Sequence, residues 1–234
     1  MKLKMLLAAS LTWAYTQAQT TALPEKSDPT VADSASLLQW SVTKKLPKGY
    51  EQEALTALSY FPELKETRVI FRYRNSVNSL KTRPAFISMF LPRGHRSYVI
   101  IISRKTPEAV NAIRFDHLPP AARIGVLGHE LSHVADFMKK TGWQSFKTAM
   151  GHFSTHYMDS LEHHTDEICI EHGLGNELEA WSSFIRSTMH VKNWRGASKI
   201  NEGESPAERY MNPSSIEKKM QKMHTQISTT DSAF

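Results

Sequence analysis

Leu118-Pro-Pro-Ala-Ala-Arg-Ile-Gly-Val-Leu-Gly-His-Glu-Leu-Ser-His-Val-Ala-Asp-Phe-Met-Lys-Lys140 is the stretch on which the reading of this chain turns. Two prolines stand at its start, and Ile124, Leu127, Leu131, Val134 and Met138 recur at helical spacing. One helix with an apolar stripe is expected. Within it lies His129-Glu130-Leu131-Ser132-His133. On a helix, positions four apart sit roughly 40° apart around the axis and about 6 Å apart along it. Both imidazoles therefore flank the stripe and project to one side, with Glu130 within about 100° of each. Two neutral imidazoles at about 2.0–2.1 Å can grip a zinc ion and leave room for a third protein ligand and a water. The glutamate beside the first histidine is placed to take a proton from that water as it attacks a carbonyl.

The third ligand is expected from a later segment. Between Gly151 and Gly173 the chain has no glycine or proline, so it reads as one helix stopped by Gly173 or Gly175. Glu162 and Asp166 lie four apart on it and can face one cleft together. His152 and His156 share that spacing, and His163, His164 and Glu167 lie nearby, so spacing alone leaves the choice open.

Gly128-His129-Glu130-Leu131-Ser132-His133 followed by Glu162-His163-His164-Thr165-Asp166 resembles the gluzincin metallopeptidases, in which a glutamate on a later helix completes the zinc site. The resemblance implies that His129, His133 and Glu162 are the ligands and that Glu130 is the catalytic base. It further implies that Asp166 accepts a hydrogen bond from the far nitrogen of a ligating histidine. It covers mainly residues 118–175. The longer metzincin motif does not fit, because it needs glycine at 136 and histidine at 139 where this chain has Asp136 and Lys139. Tyr157, His172 and Tyr210 are of a type that can stabilise an oxyanion, with none singled out.

Composition bounds the setting. Met1-Lys2-Leu3-Lys4 is basic, Met5 to Tyr15 is mostly apolar, and Thr16-Gln17-Ala18 offers a small-x-small cleavage site. Residues 1–18 are therefore expected to be a signal peptide, and the protein to be secreted or periplasmic. No later run approaches the roughly 20 apolar residues that span a bilayer, so no stable membrane span is expected. Cys169 is the only cysteine, which excludes an intramolecular disulfide, and it reads as a buried side chain. The net charge of +6 includes Lys2 and Lys4, and it reads as a solvated basic surface with weak attraction to anionic envelope surfaces. Aromatic residues are not interleaved with a basic stripe, so no nucleic-acid partner is expected.

The order of elements sets the fold. Residues 19–45 read as a linker or N-terminal extension, 46–226 as a zinc metallopeptidase-like domain, and 227–234 as a flexible tail. A helix is expected over Tyr50 to Tyr60, and strands over Arg68 to Arg74, Phe86 to Phe90 and Tyr98 to Ile102, the last two joined by a turn at Pro92-Arg93-Gly94. Leu178 to Ser187 is amphipathic, Asn193 to Ser205 reads as a loop, and Ser214-Ser215-Ile216-Glu217 has capping-box spacing behind Pro213. The expected fold is a small α+β domain, its sheet packed on the active-site helix and its C-terminal part mostly helical. An edge strand from residues 68–102 would hold an extended substrate by strand addition. The expected function is a secreted zinc-dependent peptidase acting on a peptide or protein substrate. The alternative is a non-catalytic envelope protein with a structural or repurposed zinc site.

Overall fold

The computed structural model describes residues 34–85, 88, 91–141, 144, 154–200 and 207–231. Helices α1 (Ser34–Leu38) and α2 (Glu51–Ser59) precede strands β1 (Arg68–Arg74), β2 (Leu80–Pro84) and β3 (Ser97–Ser103). Helices α3 (Pro120–Lys139), α4 (Thr155–Glu171), α5 (Gly175–Met189) and α6 (Pro213–Asp231) follow. The fold is mixed α+β, a three-stranded sheet with a helical C-terminal part, as expected. Among the described residues no helix is long and apolar enough to cross a membrane.

Alternation builds the sheet. Val69 and Phe71 of β1 are buried while Arg68, Arg72 and Arg74 are exposed, the pattern of a strand with one wet face. Strand β3 lies in the middle, parallel to β1 and antiparallel to β2. Its apolar run buries Tyr98, Val99, Ile100 and Ile102 and leaves Ile101 half-buried. The strand expected over Phe86 to Phe90 falls largely outside the described residues. The third strand of the sheet is instead Leu80–Pro84, which the sequence reading did not mark. Its local signal is weak, because only Leu80 is buried and its identity as a strand rests on pairing with β3.

Residues 1–18, expected to be a signal peptide, and the first part of the expected linker lie outside the described residues. Within the rest of that linker, Ser34–Leu38 is helical with Leu37 buried, and Lys45 bridges Ile70 alongside β1.

Helix α3 is the centre of the molecule. Pro120 occupies its first turn, where the missing N–H costs nothing. The expected stripe is buried at Ile124, Leu127, Leu131 and Val134, but Gly125, Val126, Gly128, Ser132 and Ala135 are buried as well. The helix is enclosed because β2, α2, α4 and α5 all pack on it. Close approach of α5 needs Gly125: a Cβ there would stand 2.0 Å from the Glu177 carbonyl oxygen.

Helix α4 ends as the sequence predicts. Gly173 adopts φ 91°, the Gly173 amide donates to Ile170 and the Leu174 amide to Cys169, a left-handed cap that turns the chain into α5. Leu174 is thereby buried against α3 next to Cys169 and Gly128. Helix α6 begins with Pro213 in its first position. The Ile216 amide donates to the Asn212 carbonyl, so the helix is capped at Asn212, two positions before the Ser214 cap that the Ser214-x-x-Glu217 spacing suggested. The helix runs to Asp231, into the stretch read as a tail.

Candidate metal centre

Two helices bring the site together. Helix α3 presents His129 and His133 one turn apart, and their rings stand perpendicular with centroids 4.9 Å apart. Helix α4 crosses them and presents Glu162. The Glu162 Oε2 atom lies 3.1 Å from Nε2 of His129 and 3.2 Å from Nε2 of His133. Donors held at about 2.0–2.1 Å by one tetrahedral ion stand about 3.3 Å apart. The His129, His133, Glu162 group therefore fits a metal ion with little movement, and its donor atoms all fall within 4.8 Å of one another.

The far ring nitrogens are fixed too. His129 Nδ1 donates to Asp166 Oδ1 at 2.7 Å, the contact expected of Asp166, which turns Nε2 toward the ligand group. His133 Nδ1 lies 3.2 Å from the hydroxyl of Thr165, which itself donates to the Leu161 carbonyl. Thr165 was not read from the sequence. It sits three positions after Glu162, on the same face of α4, and that spacing was the signal available. Such contacts set the tautomer and orientation of a metal-binding histidine.

Burial and charge shape the protonation of the group. Burial opposes a charge on His129, but hydrogen bonds to Asp166 and Glu162 override it and hold the ring's pKa well above the ordinary imidazole value. Burial likewise disfavours the Glu162 carboxylate. The neighbouring His133 and the bonds from both histidines reverse this and keep its pKa well below the usual range.

Glu130 is the distinctive residue. It is 6% exposed, and its Oε2 has no hydrogen-bond partner among the described residues. Thr82 of β2 donates to the Glu130 backbone carbonyl and ties the edge strand to the site. Glu130, His129, His133 and Glu162 all line a cleft of about 310 Å³, whose other walls include Lys81 and Thr82 of β2, Arg195, Arg209 and Tyr210. A smaller cavity of about 60 Å³ adjoins it, walled by Val110, Trp181, Ile185 and Trp194 and sharing Glu130 and Tyr210.

The segment carrying Tyr210 is clamped from two helices. The Met211 amide donates to Asp166 Oδ2, the Met211 carbonyl accepts from Ser182, and the Tyr210 carbonyl accepts from Arg186. Burial pulls Arg186 down to about 10, countered by Glu208 and Asp166, so the guanidinium stays charged at neutral pH. Arg195 makes a two-bond contact with Asp159, and Arg209 donates to the same carboxylate, which pins the loop after α5 to α4. Burial raises the Asp159 carboxyl, and the bonds from Arg209 and Arg195 outweigh it and hold it below the usual range. Trp194 and Arg195, inside the stretch read as a polar loop, are thus buried.

The other candidates fall elsewhere. His156, His163, His164 and Glu167 line a hollow on the outer side of α4, and His152 lies outside the described residues. His172 stacks on Phe61 and contacts Glu63, and neither it nor Tyr157 lines the cleft. Cys169 is fully buried, and burial pushes its thiol well up. No protein-family model matches this chain, and no curated protein or solved structure matches it either.

Proposed function

We propose that this chain is a secreted or periplasmic zinc peptidase of the gluzincin type, cleaving peptide bonds with water. The observation that carries this reading is the Glu130 carboxylate, buried, with its Oε2 unpartnered among the described residues, beside the His129, His133, Glu162 group on the wall of an open cleft. A buried carboxylate oxygen without a partner costs stability, on the order of 1–3 kcal/mol, and is retained where it has a proton to move. Zinc, when bound by His129, His133 and Glu162, supplies Lewis-acid polarisation of a water and of the substrate carbonyl. Glu130 takes the proton of the attacking water and passes it to the leaving amine. Tyr210 borders both cavities and is the donor best placed to stabilise the oxyanion. Among the described residues strand β2 pairs only with β3, and it borders the cleft, so an extended peptide can add to its outer edge.

A purely structural zinc site calls for a fourth protein ligand. Among the described residues the group has three, and it opens onto the cleft, which favours the catalytic reading over the structural alternative.

Zinc content and turnover test this together. The wild-type protein, dialysed against a weak chelator, should hold about one zinc per chain, and Glu162→Ala should lose most of it. Glu130→Gln should keep the zinc and lose cleavage of a peptide library. Wild-type protein that binds no zinc, or a repurified Glu130→Gln that cleaves as fast as wild type, would overturn the reading.

A further inference from the structure

The face of the sheet turned away from α3 gathers positive charge. Strand pairing keeps partners on one face, and Ile70 pairs with Val99 and Arg72 with Ile101. Across β3, Lys81 stands opposite Ile101 and Arg83 opposite Val99. Beyond β1, Lys45 bridges Ile70. This face is therefore an aliphatic stripe, Ile70, Val99 and Ile101, flanked by Lys45, Arg68, Arg72 and Arg74 on one side and by Lys81 and Arg83 on the other. None of these cations forms an ion pair among the described residues, and no strand position on the face is acidic. Glu66, near Lys44, stands at the margin.

Two features identify what such a face fits. The aromatic residues of the strands, Phe71, Tyr73 and Tyr98, belong to the opposite, core-facing set, so the face lacks the rings on which nucleic-acid bases stack. The stretch of tight turns that leads into Lys45 carries exposed aliphatic side chains instead: Leu38 is 60% exposed and Val42 is 56% exposed. Val42 directly precedes Thr43 and Lys44, which share a shallow hollow with Lys45, Arg68, Ile70 and Arg72. Cations over a plane of phosphates, with neighbouring aliphatic groups to enter the boundary between headgroups and acyl chains, are the chemistry of peripheral attachment to an anionic bilayer.

We propose that this face docks the protein on the anionic surface of a lipid bilayer, with Leu38 and Val42 entering the headgroup region. Strand β2 is common to the docking face and the cleft, since Lys81 and Thr82 also border the metal centre. Docking would hold the mouth of the cleft beside the membrane, where it meets substrates anchored there. The attachment itself does not depend on the peptidase reading.

Co-sedimentation of the zinc-treated full chain with vesicles tests it, using phosphatidylcholine alone and phosphatidylcholine with a minority of phosphatidylglycerol. Binding is expected only to the anionic vesicles and should weaken with added salt. Each cation near such a surface is worth about fivefold in partitioning, so Arg68→Glu/Arg72→Glu/Arg83→Glu should bind roughly 100-fold more weakly or worse. The circular dichroism spectrum should not change, because these side chains are exposed. Leu38→Ser/Val42→Ser should weaken binding while leaving its salt dependence intact. Equal binding to neutral vesicles, or full binding by the charge-reversed variant, would overturn the proposal. So would a soluble polyanion such as dextran sulfate that holds the protein as tightly as the vesicles do.

Discussion

The hydroxyl of Thr165 lies 3.2 Å from Nδ1 of His133 and spends its only proton on the Leu161 carbonyl at 2.8 Å. It can therefore only accept from the ring, so in the neutral ring that a metal requires, the proton sits on Nδ1 and Nε2 of His133 is left bare and turned toward Glu162. Asp166 does the same for His129, so a single turn of α4 supplies one ligand and orients two others. Thr165→Val keeps the shape of the side chain and removes the acceptor. Zinc affinity should fall roughly 10- to 100-fold with the fold intact, and Thr165→Ser should retain most of it. Competition against a chromogenic chelator measures this, and an unchanged affinity in the valine variant would remove Thr165 from the site.

The metal-free site has a definite pH signature. The folded pKa of His129 is raised, so its contribution to stability is complete below the unfolded value of about 6.5 and disappears as pH rises through the raised value. The folded pKa of Glu162 is depressed, so its contribution is present above about 4.3 and is lost as pH falls through the depressed value. Both act together between about pH 4.3 and about pH 6.5, and the metal-free protein should melt at progressively lower temperature above that window. Zinc requires the unprotonated ring, so its affinity rises over the same range. Melts recorded with chelator and with excess zinc should diverge as pH increases. A gap that stays constant would contradict the protonation assigned to His129.

What the sequence disclosed follows from how local each signal is. The spacing of His129, Glu130 and His133, and of Glu162 and Asp166, places side chains on helix faces without knowledge of the rest of the chain. The Gly173 cap is equally local. Thr165 shares the face of Glu162, but its role exists only once the His133 ring of another helix arrives. Strand β2 buries one residue of its own and is defined by its partner β3. The Asp159, Arg195 and Arg209 cluster joins three separate stretches and buries part of a segment whose composition reads as a loop. Gly125 and Gly128 look like flaws in a helical pattern until the neighbours that need their missing side chains are in place.

Gly125 offers a test of that last point. A Cβ at this position would meet backbone, the Glu177 carbonyl carbon at 2.3 Å and its oxygen at 2.0 Å, with no flexible side chain to move aside. Alanine improves intrinsic helix propensity by about 1 kcal/mol, but overpacking against a fixed backbone costs about 1–3 kcal/mol or more. The clash should win, and Gly125→Ala should lower the melting temperature and, by shifting α5, weaken zinc binding. An alanine variant as stable as wild type in urea unfolding would show that α5 can withdraw without penalty.

Tyr210 separates catalysis from packing. Its ring stands edge-on to Trp181 with centroids 5.6 Å apart, and it lies 5.5 Å from the ring of His129. Burial, then the carboxylates of Glu162, Glu130 and Asp166, pushes the phenol's pKa well up, so the hydroxyl keeps its proton and remains a donor. Tyr210→Phe preserves both ring contacts and the backbone clamp through Arg186 and Asp166, and removes only that donor. If the hydroxyl stabilises the oxyanion, kcat should fall by roughly 100- to 1000-fold while KM and zinc content change little. A purely structural role predicts the reverse, near-normal kcat because the packing is kept. Steady-state kinetics beside zinc analysis of the same preparation decides between them, and a kcat within about twofold of wild type would assign Tyr210 to packing alone.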